Sequence, residues 1–248
     1  LLKFLVIRNS DHKLSNFNSE QMSGHQNFPV DDEFLPVDEI IGRTIHHCTV
    51  MFCTLKQHTD VLFDFSDEAF QRLHNLISDF DDAVVRSGMF KYQHVGEWYI
   101  VACPRAAFPP VEEGPAKADP SAYTLRMIEL ASELQRIAMR HRDRHGKPLE
   151  LRVGLSAGSV AGAVVGADRP FYCLYGTTVN TAARMCKHAT GAVHCCGAVA
   201  TNLAPAGCNS FRCVSAGITD IKGLGSMETF DILAGAACLA ALPLACRS

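Results

Sequence analysis

Apolar and polar positions change rhythm several times along this chain, and each change marks an element. From Thr44 to Leu55, TIHHCTVMFCTL is a β-branched and apolar run that predicts a buried strand. Behind Ser66, with Glu68 close by, apolar residues recur at Phe70, Leu73, Leu76, Ile77, Phe80 and Val84. That is helical spacing behind an N-cap serine, and Gly88 ends it. MFKYQHV and WYIVAC then flank Gly96-Glu97 as the two strands of a hairpin. Pro104 to Pro120 is proline-rich and reads as a surface loop. Tyr123 to Arg144 follows as an amphipathic helix with Leu125, Ile128, Leu130, Leu134, Ile137 and Ala138 on its apolar stripe. Its basic end, RHRDRHGK, reads as a solvated face favourable to the helix dipole, and Gly146 stops it.

The stretch Leu151 to Met185, LRVGLSAGSVAGAVVGADRPFYCLYGTTVNTAARM, is the densest in information. It predicts a strand, a turn punctuated by Gly158, Gly162 and Gly166, and a second apolar run. A Tyr-Cys-Leu-Tyr-Gly turn and a helix opening at Val179-Asn180 complete it. Asn180 and Arg184 are four residues apart and share a helix face. An amide and a guanidinium beside a glycine-rich turn suit a phosphate or a sugar. Spacing alone favours the plainer reading of a solvated face. His194 to Asn202 predicts a strand running into a short helical turn. Phe211 to Ser215 and Glu228 to Leu233 supply the last strands, with Lys222-Gly223-Leu224-Gly225 as the turn between them. The order strand, helix, hairpin, helix, strand resembles the ferredoxin-like split βαβ arrangement, an antiparallel-rich sheet with helices packed on one face, and by itself establishes an α+β domain.

With 248 residues, 48% hydrophobic and 20% charged, the chain has the make-up of one large globular domain with extensions. A polar arm (residues 1–43), a domain (44–233) and a small, apolar tail (234–248) are expected. The net charge of −3 carries no electrostatic footprint for nucleic acid, and no basic cluster marks an anionic membrane surface. LLKFLVI and the run Ile232 to Cys246 are both too short to span a bilayer; the latter, with Pro243, reads as a docking segment. A start at Leu1 without Met reads as a processed or partial N-terminus. Eleven scattered cysteines, several within apolar runs (Cys48, Cys53, Cys103), read as reduced core thiols of an intracellular protein. His194 and Cys195-Cys196 lack a second Cys/His pair at zinc spacing, and His46-His47 read as surface or core residues.

These residues resemble the class III adenylate/guanylate cyclase catalytic domain, closest to the guanylate branch. CTVMFCTL is similar to that family's first strand, KYQHVGEWYIVAC to its central hairpin, RVGLSAGSVAGAVVG to its arginine-valine-glycine strand and glycine turn. FYCLYGTTVNTAARM is similar to its asparagine/arginine helix, and IKGLGSMETFDIL to its closing lysine-glycine turn and strand. The resemblance covers about Thr44 to Leu233 in the family's order. It implies a nucleotidyl cyclase fold whose sites form at a head-to-tail dimer interface. There the ribose 3′-hydroxyl of GTP or ATP attacks its own α-phosphorus and expels pyrophosphate, aided by two Mg²⁺ or Mn²⁺ ions on two aspartates. By the same resemblance, Asn180 orients the ribose, Arg184 stabilises the transition state, and Gln93 and Cys173 read the base.

Departures from the family sit at the metal and phosphate positions. Thr54 stands where the first metal aspartate is expected, and Glu97 where the second is. A threonine hydroxyl is a poor ligand for hard dications, which want carboxylate oxygens. Gln57 and His58 replace the glycine and phenylalanine of the phosphate loop. Leu224 replaces the phosphate lysine, leaving Lys222 as the only lysine of that turn. Trp98, beside Glu97, is expected to crowd the cleft. The expectation is therefore a degenerate, non-catalytic domain with no cofactor of its own, serving as an interaction subunit. Its partner is a homologous cyclase domain or the subunits of a larger complex. The second expectation is the complementary half of a heterodimeric cyclase, using Mg or Mn with a partner that supplies the aspartates. The third is a domain that binds nucleotide or bicarbonate without turnover.

Overall fold

The structure, a computed structural model, describes residues 42–57, 66–110, 119–166, 170–204 and 210–234. Nearly all of the polar arm, most of the apolar tail, His58 and the middle of the proline-rich loop lie outside these residues.

The first apolar run forms β1 (Arg43–Leu55), almost wholly buried from Cys48 onward. Helix α1 (Asp67–Ser87) starts where Ser66 accepts a hydrogen bond from the Ala69 N–H, as the capping pattern predicts. Its buried stripe is Ala69, Leu76, Phe80, Ala83 and Val84. Phe70, expected on that stripe, is one residue round from Ala69, about 100° away, and 54% exposed. The hairpin forms as β2 (Phe90–Val95) and β3 (Trp98–Ala102) about Gly96-Glu97. Helix α2 (Pro120–Arg140) begins behind an Asp119 cap and ends four residues before its expected end. The Asp143 carboxylate takes the backbone N–H groups of His145 and Lys147 and bends the basic run into a turn.

Beyond that turn, β4 (Leu151–Val165) corrects one expectation. The glycines do not break it: one continuous strand of 15 residues runs through Gly158 and Gly162. β5 (Phe171–Tyr175) is a strand rather than a turn, and α3 (Thr177–His188) opens two residues before Val179. β6 (Val193–Cys196) runs into the short α4 (Gly197–Leu203). β7 (Phe211–Ile221) and β8 (Gly225–Ala234) are longer than expected and close the chain as a hairpin about Lys222–Leu224.

Eight strands make one sheet in the order β2-β3-β1-β4-β6-β8-β7, with β5 paired to the far end of β4. All described pairings are antiparallel except β4 with β6. Strand alternation divides the helices between the faces. Helices α1, α2 and α4 cover the face that carries Thr49, Met51 and Cys53; Thr49 meets Thr124 of α2 at 3.2 Å, and Asn202 of α4 bonds Thr124. Helix α3 lies on the opposite face, over Phe52, Thr54 and Gly154, so the helices are not all on one face as the order of elements suggests.

Gly154 is what lets α3 lie so close. A Cβ built there would fall 1.9 Å from the Cys186 backbone nitrogen and 2.6 Å from the Ala182 oxygen. Gly158 and Gly162 similarly make room for Thr178 Oγ1 and the Tyr172 hydroxyl. The glycines of this stretch are packing positions, filled from α3 and β5.

Candidate functional site

The expected site residues fall into three places. At the C-terminal end of β1, Thr54 is 6% exposed and faces α3, while Glu97 sits in the hairpin turn. The Thr54 hydroxyl donates to Glu97 Oε2 at 3.5 Å, long for an O–H···O bond. Arg152 of β4 is directly opposite Thr54 in the strand register. Cys186 of α3 closes the group, donating through Sγ to the Arg152 carbonyl at 3.3 Å. Burial pushes the Cys186 thiol up to about 12; the Glu97 carboxylate adds to this, and the Arg152 guanidinium opposes it.

Trp98 lies buried beside this group, on the same face of the sheet as Thr54. It is 7% exposed and packs edge-on against Phe52, ring centroids 5.6 Å apart, with the Lys187 ammonium 5.5 Å over its ring. Its side chain points the same way as Phe52 and fills core space under α3. Gln57, at the phosphate-loop position, bonds the Pro148 carbonyl and the Glu150 N–H, so it is tied to the start of β4.

A dication pair does not fit this group. Among the described residues no cluster of three or more His, Cys, Asp or Glu side chains is placed to hold a metal ion. Thr54 and Glu97 bring one carboxylate and one hydroxyl, fewer hard oxygen ligands than a pair of dications needs. His194 and Cys195-Cys196 are likewise core residues: His194 Nδ1 meets Asp231 Oδ1 at 2.7 Å, and both thiols are buried.

The second place is where β2, which carries Gln93, is tied to β5, which carries Cys173. A register shift between Lys91 and Gln93 leaves Tyr92 unpaired in the hairpin. Tyr92 reaches β5, and its hydroxyl accepts the Leu174 N–H at 2.9 Å, joining the two strands that carry the base-reading positions. Cys173 is buried, and the Gln93 Oε1 atom is buried without a hydrogen-bond partner. No sequence cue singled out Tyr92; an aromatic residue with a polar tip beside an unforeseen bulge is its only trace.

The third place is helix α3 and the last turn. Asn180 is exposed and Arg184 half-buried on α3, and neither side chain makes a hydrogen bond or ion pair among the described residues. Lys222 and Leu224 are both exposed at the tip of the β7–β8 hairpin, Leu224 at 38%.

Comparison with known proteins identifies the family. The sequence pattern of the Adenylate and Guanylate cyclase catalytic domain matches residues 42–234. The chain belongs to this cyclase family. Guanylate cyclase 32E of Drosophila melanogaster is 29% identical over 198 residues, 78% of this chain and 16% of that protein. Human guanylate cyclase soluble subunit beta-2 is 29% identical over 188 residues, 75% of this chain and 28% of that protein. The cyclase domain thus spans between a sixth and a little over a quarter of these relatives. Among solved structures, the guanylate cyclase domain of RhGC from Catenaria anguillulae in complex with GTP aligns with a TM-score of 0.65 at 23% identity. That alignment covers 78% of this chain and 99% of that one. The adenylyl cyclase CyaB from P. aeruginosa aligns with a TM-score of 0.57 at 20% identity, over 77% of this chain and 95% of that one. These similarities carry the nucleotidyl cyclase fold.

Proposed function

We propose that this chain is a non-catalytic cyclase-homology domain that serves as a pairing or assembly subunit. The observation that carries the reading is the group at the end of β1. The positions of the two metal carboxylates hold Thr54 and Glu97, with Arg152 opposite Thr54 in the strand register. Leu224 at the phosphate-lysine position points the same way. The fold is intact around this loss, which favours retention for protein contact. The partner we infer is a homologous cyclase domain or the subunits of a larger complex. Scattered, buried cysteines support an intracellular, reducing setting.

One observation favours a second reading, the complementary half of a heterodimeric cyclase. Asn180 and Arg184 stand on the helix outside the three-helix layer without side-chain partners among the described residues, and the strands of Gln93 and Cys173 are joined through Tyr92. GTP or ATP would then be bound by these residues, and a partner would supply both metal aspartates. Leu224 weighs against it.

The two readings separate in one assay. The purified chain with Mn²⁺ and GTP or ATP is expected to make no cyclic nucleotide, and steady production overturns the first reading. Adding a cyclase domain with two intact aspartates, but with its own asparagine and arginine replaced, produces cyclic nucleotide only on the second.

A further inference from the structure

An extra residue in β2 ties the hairpin to β5. The β2–β3 register slips between Lys91 and Gln93, so Tyr92 has no partner in β3. In an unbroken ladder Tyr92 would stand opposite Val101, the place Lys91 takes, and would point as Lys91 does toward Asp81 of α1. The bulge re-aims it. Its hydroxyl instead accepts the Leu174 N–H of β5 at 2.9 Å. Aromatic rings back this bond. Tyr92 meets Tyr172 edge-on, centroids 6.5 Å apart, and Phe108 stacks on Tyr172 at 5.0 Å. The Arg43 guanidinium donates to the Arg105 and Ala107 carbonyls at 2.9 and 2.8 Å, holding the backbone just before Phe108. Burial pushes the Tyr92 phenol up; the Leu174 N–H opposes this, and Cys173, Tyr175 and Tyr172 of β5 add to it.

The two positions that the family resemblance assigns to the base are shut in beside this contact. Cys173 is 9% exposed. Gln93 Oε1 is buried without a partner, at a cost in free energy that access of water or a ligand would return. A side chain that reads a base must offer its polar atoms to it. Here the thiol and the amide oxygen are closed off from solvent. We propose that Tyr92 is a latch: its contact with Leu174 holds β5 closed on β2 and keeps a nucleobase from Cys173 and Gln93. On the reading as a cyclase half, the latch must open before a base enters; on the non-catalytic reading it stays shut. The inference rests on the base-reading assignment of Gln93 and Cys173. Its test uses no nucleotide, so it stands or falls apart from either reading.

Amide hydrogen exchange and thiol labelling of the full-length chain test the latch. Tyr92→Phe keeps the ring and removes only the hydroxyl. The Leu174 N–H should then exchange at least about tenfold faster, while Ile100 of β3 and Val153 of β4 stay unchanged. Tyr92→Ala removes the ring as well, and N-ethylmaleimide should alkylate Cys173 at least about tenfold faster than in the parent, read by peptide mass spectrometry. Tyr92→Phe should label Cys173 at an intermediate rate. Cys53 and Cys195, buried elsewhere in the sheet, are internal controls and should keep their slow rates. A Cys173 rate in Tyr92→Ala within about twofold of the parent overturns the proposal. So does unchanged Leu174 exchange in Tyr92→Phe, or acceleration of Cys53 and Cys195 as large as that of Cys173 in both variants.

Discussion

Replacing Gly154 by alanine tests how closely α3 is seated on the sheet. The added Cβ would fall 1.9 Å from the Cys186 nitrogen, 2.5 Å from its Cα and 2.6 Å from the Ala182 oxygen. All three are backbone atoms of one helix, so no side-chain rotation relieves the clash. To reach an ordinary separation of 3.4 Å, helix or strand must retreat by about 1.5 Å. That shift opens the contacts of Ala182, Met185 and Cys186, each buried beneath the helix. Overpacking commonly costs about 1–3 kcal/mol, and a rigid obstacle places this variant near the upper end, about 3 kcal/mol. For a domain of this size that lowers Tm by about 6–12 °C. Thermal and urea unfolding measure it, with Gly197→Ala as the control. The control Cβ meets only Phe230 at 3.7 Å and should stay within about 0.5 kcal/mol of the parent. A Gly154→Ala protein melting within about 2 °C of the parent refutes the close approach.

Three further outcomes are expected. Trp98→Ala removes a core ring packed on Phe52 and should cost about 3–5 kcal/mol in urea unfolding without creating nucleotide binding. A gain of triphosphate binding by calorimetry would instead place that ring in the cleft. Burial, with Lys91 adding to it and Asp81 opposing, holds the His94 pKa below its ordinary 6.5. The folded state then binds fewer protons than the unfolded one, so this contribution is complete above pH 6.5 and is lost as pH falls through the folded pKa. His94→Gln should flatten the stability profile between about pH 7 and pH 5, and an unchanged slope contradicts the burial argument. Thr54→Asp combined with Glu97→Asp and Leu224→Lys should strengthen Mn²⁺-dependent GTP or ATP binding at least about tenfold, about 1.4 kcal/mol. Equal Mn²⁺-dependent binding by the parent would refute the account of the metal group.

Most elements were legible because their causes are local. Ser66 caps α1 through a residue three positions on, and Gly96-Glu97 closes the hairpin within its own turn. The misreadings have non-local causes. Gly158 and Gly162 carry every local mark of a turn, yet β1 pairs along one edge of β4 and the space above the glycines is filled by Thr178 and Tyr172. The basic run extends the helical pattern of α2, but Asp143 captures two N–H groups and ends the helix earlier. Phe70 kept a nearly helical spacing while lying outside the stripe that packing selected.

The order of strands and helices, the helix caps and the membership of the cyclase family are written in residues close together along the chain. Their energetics are those of neighbours: a cap bond, a turn conformation, an alternation of faces. Folding alone set the state of the candidate site. Thr54 and Glu97 are 43 residues apart in sequence and meet because β1 and the hairpin are held together through β3. Arg152 and Cys186 arrive from β4 and α3, so what surrounds Thr54 and Glu97 was set by strand register and by the seating of α3. Charge balance depends on distance in space, which local sequence does not encode.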